Sequence, residues 1–193
     1  MRANPARRRT AAGPTLALLT GLLLPLPAAA AMAAVPAQVN ADAVAVIVGN
    51  RNYDQAPEVK FAHNDARAVK HLVLEVLGYA PANVIDLRDA TLAQMVAHFG
   101  AASGPAQGGP PGKLANWLRP GRSDVFVFYS GHGVPGLEDR RRYLLPVDGD
   151  PNLAQITGYP LARLFANLGR LKARSVTLVL DACFSGVTPA GTL

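Results

Sequence analysis

Apolar residues gather along the chain in two kinds of block. Ala43 to Val48, AVAVIV, is an unbroken run that ends at Gly49, the pattern of a strand buried on both faces in a parallel sheet. NVIDLRD (Asn83 to Asp89), DVFVFYS (Asp124 to Ser130) and SVTLVL (Ser175 to Leu180) read as three more strands. DVFVFYS is rich in aromatic and β-branched residues, which suit a pleated surface. Between the strands the apolar spacing becomes helical. Val69, Leu72, Val73, Val76 and Leu77 form one such set, closed by Gly78, and Leu92, Met95, Val96 and Phe99 form a second. Leu161, Leu164, Phe165, Leu168 and Leu171 make a clean third. A short helical piece is expected around Leu114 to Leu118, after a surface loop GPAQGGPPG (Gly104 to Gly112). A polar, arginine-rich insertion follows GHG and leads into YLLPVDG; no internal repeat is present.

Strands alternating with helices predict an α/β domain: a mostly parallel sheet with helices on both faces. Ligands of such sheets bind beyond the carboxyl ends of the strands. A length of 193 residues, half of them hydrophobic, suits one globular domain with a real core.

Charge changes the picture at one end only. The formal net charge is +6, but Arg2, Arg7, Arg8 and Arg9 lie in the first 34 residues, which hold no acid. The remaining 159 residues carry 15 basic and 13 acidic side chains, so a nucleic-acid-binding face is not expected. Residues 1–34 instead read as an export signal. MRANPARRRT is the positive start, LALLTGLLLPLP the apolar middle, and AAAAMAAVPA offers small-x-small cleavage sites. Arg7 to Arg9 also fit a twin-arginine signal. Gly21, Pro25 and Pro27 interrupt a middle already too short to span a bilayer, so no stable membrane insertion is expected after cleavage. The expected organisation is therefore an export signal, 1–34, and one folded domain, 35–193, that is periplasmic or extracellular. The competing account of the first segment is a disordered alanine-rich arm.

Cys183, in TLVLDACFSG, is the only cysteine, so no disulfide forms within the chain, and no Cys/His spacing suits a metal. Free cysteine often just packs in a core. Two observations favour a nucleophile. Cys183 sits past a strand rather than inside it, and His132 occupies the matching place one strand earlier, bracketed by glycines in YSGHG. An imidazole can take the proton of a thiol whose free pKa is about 8.5. The backbone N–H groups of Gly133 and Cys183 would then form an oxyanion hole. His63, His71 and His98 have no such setting and read as helix or helix-edge residues.

VFVFYSGHG followed by LVLDACFSG resembles the caspase-like cysteine peptidases, especially bacterial metacaspase-type members of the C14 peptidases. AVIVGNRNYDQAPEVKFAHNDARAVKHLVLEVLGY is similar to that family's opening strand, loop and first helix, so the resemblance runs from about Ala43 to Gly186, the large-subunit portion. It implies a doubly wound sheet, a His132–Cys183 dyad with Gly133 and Cys183 as oxyanion donors, and hydrolysis of peptide or protein substrates through an acyl-enzyme, with no cofactor. It also implies that Asp65, Ser130 and Asp181 line the first specificity pocket. Two carboxylates there favour arginine or lysine before the cut bond. Each also has an ordinary alternative: a first-turn helix acid, a strand-end hydroxyl and a loop acid.

The sequence departs from the family at two places. Many metacaspases bind calcium through acids after the histidine block and after the cysteine. Here Asp148 and Asp150 are present in PVDGDP, but Gly158 and Tyr159 stand where a further acidic pair is expected, and no acid follows Cys183. Calcium needs six or more oxygen ligands, so no calcium requirement is expected. Caspase-like domains also continue into a small-subunit portion, whereas this chain stops ten residues after Cys183. A fragment is expected, or a partner that supplies the missing edge; without either, the last strand would be an open sheet edge. EDRRRY (Glu138 to Tyr143) is either a self-cleavage site or, as preferred, a solvated charged loop. The competing functional readings are a legumain-like or gingipain-like peptidase of other specificity, and an interaction module with an idle dyad.

Overall fold

Four parallel strands form the central sheet of the computed structural model, which describes residues 40–101, 112–139 and 141–184. They are β1 (Val44–Gly49), β2 (Val84–Arg88), β3 (Asp124–Ser130) and β7 (Ser175–Asp181), in the spatial order β2-β1-β3-β7. All six residues of β1 are buried, as a strand covered on both faces requires. On one face Ala43, Ala45, Ile47, Phe126 and Phe128 pack under α1 (Ala62–His71) through Ala66, Val69 and Val73. On the other, Val44, Val46, Val48, Val125, Val127 and Tyr129 meet α2 (Leu92–Phe99) and α4 (Leu161–Leu168) through Met95, Phe99, Leu161, Leu164 and Leu168. The fold is thus the expected α/β arrangement, a mostly parallel sheet between helices. The expected export signal, most of the Gly104–Gly112 loop and the residues after Phe184 lie outside the described residues.

Local chemistry sets the helix limits. Thr91 and Gln94 close a reciprocal capping box at the start of α2: the Gln94 N–H donates to the Thr91 hydroxyl and the Thr91 N–H donates to the Gln94 side chain. At its other end, Asn167 donates to the Phe99 carbonyl at 2.8 Å and the Tyr159 hydroxyl donates to the Gly100 carbonyl at 2.9 Å. A Cβ at Gly49 would lie 2.8 Å from both the Ala62 carbonyl oxygen and the Ala66 methyl, so glycine is what lets α1 close onto the end of β1.

Three details differ from the sequence-based expectation. The inward stripe of the first helix is Ala62, Ala66, the partly buried Val69 and Val73, while Leu72 and Val76, on a wider π turn, Leu72–Val76, that continues α1, and Leu77 just beyond it are exposed. Small alanines, not the larger aliphatics, make the close helix–sheet contact. In α4, Phe165 faces solvent and Asn167 is buried, and Leu171 packs on the core from beyond the helix end. The arginine-rich insertion is not plain loop. It lies in a small antiparallel sheet of β4 (Gly133–Pro135), β5 (Arg142–Leu144) and β6 (Tyr159–Pro160), with the short α3 (Ala154–Thr157) between the last two.

The amino ends of the strands are held by charge. Asp124, at the start of β3, accepts hydrogen bonds from the Arg174 guanidinium, from the Ser175 hydroxyl at 2.6 Å and from Asn40 at 3.1 Å. Asp42 pairs with Arg119 at 3.1 Å and Arg122 at 2.8 Å. Arg174, with Ser175 and Asn40, holds the Asp124 carboxyl well below the usual carboxylate range. A depressed folded-state pKa contributes stability that is complete above the unfolded value, about 4, and is lost as pH falls through the folded value. Asp124→Asn is therefore expected to lower unfolding free energy by on the order of 1 kcal/mol at pH 7, discounted for the solvent around Arg174. Urea unfolding at pH 7, 4 and 2 should show variant and wild type converging only below pH 4.

Candidate active site

Ser130 and Asp181 are the last residues of neighbouring parallel strands and sit opposite each other in register. The ladder continues one step further, where the Gly131 N–H donates to the Asp181 carbonyl at 3.2 Å. His132 lies two residues past Ser130 and Cys183 two residues past Asp181, so both leave the sheet at one height on adjacent strands. Cys183 is exposed.

His132 is held on three sides. Its N–H donates to the Tyr53 hydroxyl at 2.8 Å, and its carbonyl accepts from the Tyr129 hydroxyl and the Leu145 N–H, both at 2.9 Å. Its Nε2 lies 2.8 Å from the Pro57 carbonyl oxygen. A carbonyl can only accept, so Nε2 carries a hydrogen, and in the neutral ring Nδ1 keeps the lone pair. The free base atom of the ring is therefore Nδ1. The Tyr53 ring packs against the imidazole with centroids 4.7 Å apart and planes tilted by 55°. Burial pushes the Tyr53 phenol up to about 12 and raises Tyr129 as well, so both stay protonated at neutral pH.

Gly133 is buried in β4, and a Cβ there would lie 2.6 Å from the Phe184 ring. Absence of a side chain is what allows the residue after the cysteine to pack against the residue after the histidine. Ser130, 1% exposed, places its hydroxyl 3.2 Å from an Asp181 oxygen and 3.5 Å from an Asp65 oxygen. Asp65 comes from the first turn of α1 and Asp181 from the end of β7. Among the described residues neither carboxylate forms an ion pair. Two acids thus straddle one hydroxyl beside the strand ends that carry His132 and Cys183, an arrangement suited to a cation.

The sequence analysis did not single out Tyr53 or Pro57. Both lie in the polar loop after β1, and an aromatic and a proline at the carboxyl edge of a central strand were the signal available. Asn50, fully buried, anchors that loop: its side chain accepts from the Ala90 N–H at 2.8 Å and donates toward the Ala90 and Leu145 carbonyls, each at 3.3 Å. Asp89 grips the next residues, accepting from the Arg51 N–H at 2.8 Å, the Asn52 N–H at 3.0 Å and the Asn52 amide at 2.7 Å, with His63 Nε2 at 2.9 Å. Burial works against the Asp89 charge, but the donors of Asn52 and Arg51, with His63, outweigh it and lower its pKa. Its backbone is left-handed, φ 52°.

The two acids of PVDGDP serve the fold. Asp148 accepts from the Leu92 N–H at 2.8 Å, at the start of α2, and Asp150 accepts from the Asn152 N–H at 2.8 Å. Among the described residues no three His, Cys, Asp or Glu side chains converge as a metal site. Of EDRRRY, Arg142 and Tyr143 begin β5, and Asp139 and Arg141 make contacts beside it. The Gly136 N–H donates to the Arg141 carbonyl at 2.7 Å, and Asp139 accepts from the Arg141 N–H at 2.9 Å and the Tyr143 hydroxyl at 2.6 Å. No described helix is long and apolar enough to cross a membrane.

A family model for the caspase domain of the C14 peptidases matches residues 42–192, and the chain belongs to that family. It therefore carries a domain of the cysteine peptidases, whose substrates are proteins. No match was found among curated proteins.

Gly131 is a second close approach in the site. A Cβ there would lie 2.6 Å from the Tyr53 hydroxyl, 2.9 Å from the Tyr129 hydroxyl and 3.1 Å from the Asn50 Cβ, all within the buried network. Gly131→Ala is expected to destabilise by about 1–3 kcal/mol, as overpacking does. Thermal unfolding checks it, with Tm falling by about 2–4 °C per kcal/mol.

Proposed function

We propose that the protein is an exported cysteine endopeptidase that cuts after arginine or lysine. Residues 1–34 direct export to the periplasm or beyond, and residues 35–193 form the catalytic domain. His132 Nδ1 takes the Cys183 proton, and the thiolate attacks the carbonyl carbon before the cut bond. The N–H groups of Gly133 and Cys183 receive the developing oxyanion. The tetrahedral intermediate collapses to a thioester as His132 returns the proton to the leaving amine. Water, deprotonated by His132, then hydrolyses the thioester and regenerates the thiol. Asp65 and Asp181 meet the cationic side chain, and Ser130 orients them. No calcium is included in this scheme, because calcium needs six or more oxygen ligands and the sequence offers too few acids at the expected places.

One observation carries the specificity: the Ser130 hydroxyl lies between two carboxylates that have no basic partner among the described residues. Support for the dyad comes from the shared height of His132 and Cys183 and from the fixed tautomer of the imidazole.

Fluorogenic peptides carrying arginine, lysine or aspartate before the cut test this directly. Cleavage after arginine and lysine, abolished in Cys183→Ala, is the expected result. Asp181→Asn is expected to lower kcat/KM for the arginine peptide by about 10–100-fold, the usual worth of a hydrogen bond to a charged group. Preference for aspartate would remove the pocket and keep the dyad. A folded protein that cuts none of the three would favour the idle interaction module.

A further inference from the structure

We propose that Tyr53 is a positioning residue for His132, setting the orientation of the imidazole that takes the Cys183 proton. The proposal rests on the dyad described above and adds a residue to it. Two polar atoms of His132, the backbone nitrogen and Nε2, are held by one loop, through the Tyr53 hydroxyl at 2.8 Å and the Pro57 carbonyl at 2.8 Å. The first contact holds the main chain at the point where it leaves β3. The second holds the far side of the ring. The Tyr53 ring, 4.7 Å away at 55°, fills the space into which the imidazole would otherwise swing.

Tyr53 is itself fixed before any substrate arrives. Its hydroxyl lies in the buried cluster with Tyr129 and Asn50, and Gly131 leaves room for it. The loop is tied at its start by Asp89, and the Asp54 N–H donates to the Val147 carbonyl at 2.9 Å. A phenol raised to about 12 stays a neutral hydroxyl throughout the range where a thiol–imidazole pair works, so it accepts from the His132 N–H without adding a charge. Proximity catalysis is lost when a reacting group moves by about 1 Å, commonly near 100-fold. A single lost contact of a group with two other tethers should cost less.

The test uses the full chain with Tyr53→Phe, which keeps the ring and removes the hydroxyl, and with His132→Ala and Cys183→Ala as references. Circular dichroism establishes folding. Two readouts follow: kcat and KM on an arginine peptide, and the rate of Cys183 alkylation by iodoacetamide from pH 5 to 9. In wild type the imidazole should make Cys183 alkylate faster than it does in His132→Ala. Tyr53→Phe is expected to lower kcat about 10-fold with KM unchanged, and to move the alkylation profile toward that of His132→Ala. Should Tyr53→Phe fail to fold, 3-fluorotyrosine at position 53, a weaker acceptor of nearly the same shape, is read the same way and should lower kcat a few-fold. A folded variant with wild-type kcat and alkylation profile overturns the proposal, as does one that changes only Tm. If wild type and His132→Ala alkylate identically, no imidazole–thiol pair exists and both proposals fall. If the pair is present but no peptide is cut, only the endopeptidase reading falls, and the alkylation profile of Tyr53→Phe decides the role of Tyr53.

Discussion

The parallel ladder between β3 and β7 determines the height at which every group at the carboxyl edge is delivered. Ser130 faces Asp181, and the chain then runs two residues on each strand to His132 and Cys183. Side chains alternate between the two faces of a strand, so a slip of one residue would turn Asp181 away from Ser130 and carry Cys183 to the wrong side. No side-chain contact within the site could repair that. The register is held by the apolar alternation itself. Leu178 and Leu180 belong with the core formed by Val127 and Tyr129, and shifting them would put leucines into water.

The two ends of the strands divide their tasks. At the amino end, carboxylates are paired with arginines: Asp42 with Arg119 and Arg122, and Asp124 with Arg174. At the carboxyl end, Asp65 and Asp181 flank the Ser130 hydroxyl and form no ion pair among the described residues. The same residue type therefore ties strands together through arginines at one edge and meets a neutral hydroxyl at the other. Polar groups buried beside His132 are satisfied by neutral partners such as Asn50, Tyr129 and Tyr53, which keep the region ordered without adding a charge.

The central sheet and its helices were legible because parallel strands buried on both faces leave unbroken apolar runs, as in AVAVIV and DVFVFYS. His132 and Cys183 were legible as residues placed just past strand ends among glycines, and Asp65, Ser130 and Asp181 through family resemblance. The small antiparallel sheet was not legible. Its strands are two or three residues long, too short for any alternation to register. Nor did periodicity reveal which stripe of α1 is buried, since Ala62 and Ala66 carry little hydrophobic signal yet allow the closest approach to Gly49. Tyr53 and Pro57 escaped for a different reason. Their part depends on where a loop folds back in space, and an irregular segment carries no period from which to read it.

Asp89 occupies a left-handed backbone conformation that costs a non-glycine residue on the order of 1 kcal/mol. Glycine at that position would relieve the strain, and by backbone preference alone it is the stabilising choice. It would also strip the carboxylate from Arg51 and Asn52 and free the loop that carries Tyr53 and Pro57. Hydrogen bonds to a charged group are each worth about 1.5–3 kcal/mol, so the contacts of the Asp89 carboxylate together outweigh the strain they impose. The unfavourable backbone is therefore retained by a net gain in stability, and the same contacts fix the loop that meets His132.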